Sequence, residues 1–417
     1  MAAASDVIIV GGGLAGLACA LRLQESGVTF ALLEAADRVG GRIRTDRLEG
    51  FLLDRGFQVF QTAYPEARRT LDYAALDLRP FHPGAIIRIK DRFHTVADPR
   101  RMPKFAVQSL TAPIGTLGDK LRLAKLGWQV SRRSPEELFR REDIPAIEFW
   151  RQLGFTDRMI QRFLTPFFSG ITLDPDVRAS SRMFAFVLQM FATGDVSLPA
   201  GGMASIPAQL AARLPSERLY TGVRVESIRD DAAIDTRGRR WSANNVVLAV
   251  EAPETCRLLG RGQPPRSCGA TYLYFSAPHP PPATDRFLVL NGTGRGPVHS
   301  LCVPSAVAPA YAPAGNSLIV VVVLGIPPDE DPQLEAAVRR QLTQWYGGEV
   351  HHWRRLRIDR IRHALPSTAP PLPDPSRPAV IRNRGLFVCG EYRSVPSIQW
   401  ALYSGRRAAE AVIASLL

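Results

Sequence analysis

The stretch VIIVGGGLAGLACAL, Val7 to Leu21, decides the fold. Its first four residues are Val and Ile only, the composition of a strand buried on both faces of a parallel sheet. Gly11, Gly13 and Gly16 then satisfy G-x-G-x-x-G. The first glycine allows a tight turn, the second lets the backbone approach a phosphate, and the third lets helix pack closely on strand. The spacing predicts a helix from about Leu14 to Ser26, closed by Gly27 as its C-cap. Its N-terminus, with Leu14 and Ala15 in the first turn, suits a pyrophosphate. A second strand, VTFALLE, ends at Glu34, next to Ala35 and 23 residues after Gly11. A carboxylate there can accept hydrogen bonds from both ribose hydroxyls of an adenosine, and it repels a 2′-phosphate, which disfavours NADP.

The next segment, ADRVGGRIRT (Ala36 to Thr45), puts Gly40, Gly41 and Arg42 just past that carboxylate. Two glycines allow a second close approach of backbone to ligand, and a guanidinium pairs with pyrophosphate oxygens. A nicotinamide dehydrogenase has no need of this second cradle. In order and spacing these residues resemble the flavin amine oxidase superfamily, which also holds protoporphyrinogen oxidases and carotenoid desaturases. The family's following D-x-G is matched by Asp54 and Gly56 in FLLDRGFQVF.

The resemblance resumes downstream. RVESIR (224–229) looks like the strand whose backbone meets the adenine, with Val225 at the contact position, and a hairpin-like stretch and Pro253 follow it. PAGGMASIPAQLA (199–211) resembles the "P-x-GGM" segment of the desaturases and protoporphyrinogen oxidases. GLFVCGEYRSVPSIQWALYSGRRAAEAVI (385–413) matches the C-terminal flavin motif. Gly390 and Glu391 fall at the pair that holds the ribityl chain; Ser397, Ile398, Gln399 and Ala401 fall where a helix N-terminus faces the flavin pyrimidine edge. The resemblance implies FAD as cofactor and an α/β fold, with a Rossmann-like FAD-binding domain interleaved with an α+β substrate domain. Motif positions divide the chain into a discontinuous cofactor domain (1–63, 196–255 and 366–417) and a substrate domain (64–195 and 256–365). The first substrate piece reads as helical. The second is strand-rich, with ATYLYFSAP, RFLVLN and NSLIVVVVLGI before a helix at about 331–346, and the proline-rich ALPSTAPPLPDPSRP (364–378) leads back to the cofactor domain.

Composition narrows the class. At 417 residues and 46% hydrophobic, the chain can bury a sizeable core. The net charge of +13 is nearly all arginine, since lysine occurs only at 90, 104, 120 and 125. It is spread along the chain, as on a solvated surface or one facing anionic lipid or an acidic ligand. No RNA-binding or zinc-finger pattern is present, so no nucleic-acid partner is expected. Five scattered cysteines without CxxC read as reduced and apolar, and the histidines show no metal-ligand spacing. With no signal-peptide pattern and no apolar run of about 18 residues, a cytoplasmic location is expected.

The chemistry is less legible. Amine-oxidising members carry a lysine near flavin N5 in the strand-rich half of the substrate domain, and this chain has no lysine after position 125. Arg286 or Arg295 would be a poor proton shuttle in its place. Weight therefore shifts to hydride transfer from a C–H of a small, largely hydrophobic substrate (a polyene, porphyrinogen or isoprenoid) to N5, with dioxygen or a quinone as acceptor. A redox-neutral flavin isomerase and an amine oxidase lacking the lysine are the alternatives. A non-catalytic escort like the Rab GDP-dissociation inhibitors is disfavoured, because an empty site has no use for Glu34, Arg42 and Glu391. No catalytic residue is assigned. Phe57, Gln58, Tyr274, Tyr392, Gln399 and Trp400 are pocket candidates by proximity to the motifs. Gln58 and Gln399 could hydrogen-bond the flavin ring. Trp400, which departs from the family's glycine, either walls the pocket or packs in the core. Finally, FAVQSLTAPIGTLGDKLRLAKLGWQVSRR (105–133) mixes apolar and basic residues, as an element lying on anionic lipid does or a helix with a solvated basic face.

Overall fold

In the computed structural model, which describes residues 5–229, 232–260, 262–375, 380–382, 385–393 and 395–416, Val7–Val10 is an inner strand of a six-stranded sheet. The end of the proline-rich segment, 376–378, lies outside the described residues. The sheet runs Leu219–Tyr220, Phe30–Leu33, Val7–Val10, Asn245–Leu248, Leu386–Val388, Val380–Arg382. The first five strands are parallel and the last is antiparallel. Strand order reverses at Val7–Val10, whose partners are Phe30–Leu33 on one side and Asn245–Leu248 on the other. In open α/β sheets a ligand binds at the carboxyl end of such a reversal, and Gly11 stands there.

Alternation fixes what covers each face. Val7 and Ile9 join the core that holds Leu17, Leu21 and Leu402. Ile8 and Val10 pack with Val225, Ala233 and Trp241 of the antiparallel ribbon Val225–Arg229, Ala232–Asp235, Arg240–Ser242. On the helical side Leu14–Glu25 meets Ile398–Leu416 backbone to backbone. A Cβ on Gly405 would lie 2.0 Å from the Ala15 carbonyl oxygen, and one on Gly16 equally 2.0 Å from the Gly11 carbonyl oxygen.

A second sheet has seven strands in the order Arg354–Pro366, Ser267–Ala277, Ser317–Leu324, Ser300–Cys302, Leu288–Asn291, Gly84–Ile89, Arg92–Ala97. Its last two strands come from the piece that reads as helical. GAIIRI turns at Lys90 (φ +52°) into RFHTVA, and Gly84–Ile89 pairs parallel with Leu288–Asn291. The helical reading holds for Ala106–Thr111, Leu117–Ser131, Ala146–Gln152, Thr165–Thr172 and Ser181–Thr193. A π-helical turn at Ile160–Leu164 precedes Pro166, which has no N–H to continue a regular ladder. One sheet face, with Leu273, Phe275, Val289 and Val321, is covered by helix Asp331–Tyr346. The other, with Tyr272, Tyr274, Val320 and Val322, joins the same core as the cofactor-side helices.

Candidate active site

The glycine turn and the segment after Glu34 form one cradle. Gly40 N–H donates to the Gly12 carbonyl oxygen at 2.8 Å. Helix Leu14–Glu25 starts at Gly13 without a side-chain cap, so its first-turn N–H groups are available to an anion. A Cβ on Gly13 would meet nothing within 4 Å, and one on Gly41 only Gly13 itself, at 3.4 Å. The open space is therefore in front of these two glycines, beside the uncapped helix start, where a cofactor's anionic group could be held. Glu34 is held rigidly: Gly12 N–H donates to its Oε2 (2.6 Å) and Ala36 N–H to its Oε1 (2.8 Å). Ala35 follows it at the carboxyl end of the strand. Val225 is buried on the ribbon, and its carbonyl accepts a bond from the Arg257 guanidinium at 2.9 Å.

The distant C-terminal motif reaches the same place. Arg42 forms an ion pair with Glu391, lies 3.8 Å from Glu251, and donates to the Ala364 carbonyl at 3.3 Å. Gly390 N–H donates to Ser404 Oγ (3.0 Å), which fixes the glycine against the last helix. Ser397 caps that helix, its Oγ accepting from Trp400 N–H (3.2 Å) and its carbonyl from Ala401 N–H (3.0 Å). Ile398, the helix's first residue, is partly buried against the core. Arg42, Glu251, Tyr392 and Glu391 line one small cleft with His363 and Leu365.

A second, small and mostly apolar cavity adjoins the D-x-G turn, lined by Asp54, Gly56, Phe57, Gln58, Leu52 and Leu198 together with Tyr274, Tyr311, Leu318 and Val320. Its framework is a set of hydrogen bonds centred on Asp54. The buried carboxylate accepts from Thr45 Oγ1 (2.5 Å), Met203 N–H (3.0 Å) and Tyr311 OH (2.7 Å). Burial, only partly offset by these donors, pushes its carboxyl up to about 6. Thr45 also accepts from Ala204 N–H at 2.9 Å, so the "GGM" turn is tied down twice. Tyr274 OH donates to the Asp54 carbonyl (2.6 Å) and accepts from Gly56 N–H (2.9 Å). Gly56 is required here: its φ is +86°, and a Cβ would strike the Tyr272 ring at 2.9 Å.

The other pocket candidates fall into place around this framework. Gln58 Nε2 donates to the Arg42 (2.9 Å) and Arg55 (3.0 Å) carbonyls, linking the two loops. Phe57 meets Phe81 edge to face at 6.1 Å. Tyr392 OH is 2.8 Å from Thr255 Oγ1. Gln399 is buried, and its Oε1 accepts from Glu66 N–H at 2.8 Å, where it holds the start of the short helix Pro65–Thr70. Trp400 is fully buried among Phe139, Phe186 and Tyr403, so core packing accounts for it. Sequence reasoning missed Thr45, Tyr272 and Tyr311. Their partners lie up to 257 positions away, and no local pattern announces them.

Comparison with known proteins agrees with this architecture. Residues 14–413 match the family model described as flavin containing amine oxidoreductase. The chain is 27% identical over 297 residues to coproporphyrinogen III oxidase of Mycobacterium tuberculosis, covering 64% of each. It is 26% identical over 179 residues to chloroplastic/mitochondrial protoporphyrinogen oxidase 2 of Arabidopsis thaliana, covering 43% of this chain and 35% of that one. The alignments thus span less than two thirds of these relatives' length. Among solved structures, a putative protoporphyrinogen oxidase from Exiguobacterium sp. 255-15 superposes with a TM-score of 0.72 over 98% of both chains at 19% identity, a likeness of fold. With 400 of its residues inside the family model, the chain belongs to the flavin-containing amine oxidoreductase family.

Proposed function

We propose that the chain binds FAD and oxidises a largely apolar substrate of the porphyrinogen class, with the Gly56–Gln58 turn on the substrate side of the cofactor. The observation that carries this reading is the meeting of residues 11–16, 34 and 40–42 with residues 390–405 around one cradle, in a chain whose sequence relatives include porphyrinogen oxidases. Glu34 would hold the adenosine ribose, the Val225 backbone the adenine, Gly11–Gly16 with Gly40–Arg42 the pyrophosphate, and Gly390–Glu391 the ribityl chain. FAD bound there supplies a two-electron acceptor.

The chain's own residues position and exclude. Tyr274 and Asp54 lock the Gly56–Gln58 turn, and Leu318, Val320, Leu52 and Leu198 make a water-poor wall against it. The titratable side chains lining the cavity are already engaged: Asp54 accepts from Thr45, Met203 and Tyr311, and Tyr274 bridges two backbone groups. Burial raises both tyrosines well above their ordinary range, so neither gives up a proton at neutral pH. Such a site suits a reaction driven by hydride loss from carbon more than one needing a strong enzymic base. The substrate loses a hydride from carbon and a proton from an adjacent atom, two electrons in all, which dioxygen or a quinone finally accepts.

Purified protein should carry FAD at about one per chain, released on denaturation, and should turn coproporphyrinogen III or protoporphyrinogen IX into fluorescent porphyrin in air. Colourless protein that cannot be reconstituted with FAD would overturn the cofactor assignment. A fully loaded protein that leaves both porphyrinogens unoxidised would overturn the substrate assignment.

A further inference from the structure

Seven large hydrophobic side chains among the described residues are exposed, and five of them fall between positions 107 and 128: Val107 (73%), Leu110 (56%), Leu117 (59%), Leu121 (62%) and Trp128 (53%). Leu117, Leu121 and Trp128 sit on one helix, Leu117–Ser131, at spacings of four and seven, which puts them on a single stripe. That helix already buries its opposite side, where Asp119, Leu126 and Val130 are enclosed. It therefore has two apolar faces and needs only one for folding. The short helix Ala106–Thr111 extends the outer face. Lys120 Nζ ties the two together by donating to the carbonyls of Leu110 and, at 3.0 Å, Ala112.

The charge around this stripe is one-sided. Residues 99–133 hold eight Lys and Arg and a single acid, Asp119, which is buried and bonded to Thr116 and Thr156. Three of the chain's four lysines lie in this segment. The Arg132 guanidinium lies 4.1 Å from the centre of the Trp128 ring, beside the apolar stripe.

We propose that this face docks on the surface of an anionic lipid bilayer. Leu117, Leu121, Trp128, Val107 and Leu110 would enter the boundary between headgroups and acyl chains, while Lys125, Arg132 and Arg133 meet lipid phosphates. Charge decides against a second copy of this chain as occupant. It would bring the same basic border to the same stripe, on a protein of net charge +13. No helix among the described residues is long and apolar enough to cross a membrane, so the contact is peripheral. Docking here does not depend on which substrate the site takes.

Flotation of the full chain with vesicles of phosphatidylcholine and phosphatidylglycerol (7:3) tests this, with pure phosphatidylcholine as control. The wild type should float with the anionic vesicles alone. Leu121→Ser with Trp128→Ser, and separately Lys125→Gln with Arg132→Gln, should each weaken binding by about tenfold or more. These side chains are exposed, so unchanged circular dichroism and melting are expected. If the first pair fails to fold, the second pair and a 0.5 M NaCl arm carry the test. No flotation with anionic vesicles, or flotation that the variants leave unchanged, overturns the proposal. So does a micromolar dimer in sedimentation velocity that Leu121→Ser with Trp128→Ser dissociates, since a second copy would then cover the face.

Discussion

Around Gly11–Gly16 the chain holds its neighbours by leaving side chains out: strand, helix and last helix touch through bare backbone at Gly16 and Gly405. Around Asp54 it does the reverse. One buried carboxylate gathers Thr45, Met203 and Tyr311, and Tyr274 closes the same turn from another strand. The first region fails if anything is added, the second if anything is removed. The first leaves backbone bare beside open space; the second sets a loop at the edge of a cavity.

The largest expected effect is at the bare contact. Gly405→Ala puts a methyl group 2.0 Å from the Ala15 carbonyl oxygen, and the two helices must part. A loss of about 3 kcal/mol in urea unfolding is expected, together with loss of bound flavin. Unchanged stability would show that the helices slide apart easily and would break the contrast.

Asp54→Ala should cost about 2 to 3 kcal/mol, because Met203 N–H and the Tyr311 and Thr45 hydroxyls lose their acceptor in a buried site. Asp54→Asn sharpens the point. The carboxyl's folded value of about 6 exceeds its unfolded value near 4, so the folded state holds its proton more tightly. Its contribution to stability is full below about pH 4, falls as pH rises through 4 to 6, and is lower by about 3 kcal/mol above that. The amide variant should lose this slope while keeping an acceptor for Thr45 and Met203. Denaturant titrations at pH 4.5 and 7 measure it, and an unchanged slope would move the titration to another group.

The smallest effect is expected at Trp400→Phe, about 1 kcal/mol by melting, since its Nε1 has no partner to lose. The flavin spectrum should be unaltered, and a shifted spectrum would return Trp400 to the pocket wall.

The same contrast explains how much could be read in advance. Glycines at fixed offsets, a carboxylate at a strand end and Gly-Gly-Arg are local demands, so the cradle and the parallel sheet were legible from residues 7–42 and 385–413. Asp54 and Gly56 were legible as a motif, but Tyr311 lies 257 residues from Asp54 and carries no pattern of its own. Tyr274 was a pocket candidate by proximity to the motifs, yet nothing local says its hydroxyl is bonded on both sides. Periodicity could show that Gln399 and Trp400 stand on a helix, not which layer packs against them. The hairpin Gly84–Ile89 with Arg92–Ala97 is local, but its turn is Lys90-Asp91, without the glycine that marks most tight hairpins, and so it was overlooked.

The closure of Gly405 on Ala15 also sets an order of events during synthesis. The first strand cannot gain its second neighbour until residues 245–248 have left the ribosome, and the first helix keeps one face open, beside Ser205–Ala211, until the last one follows. Until then, the glycine turn is made but its surroundings are not. The cradle is thus completed only once residue 405 has been made, and a chain stalled before it would leave the first helix without the last one's cover.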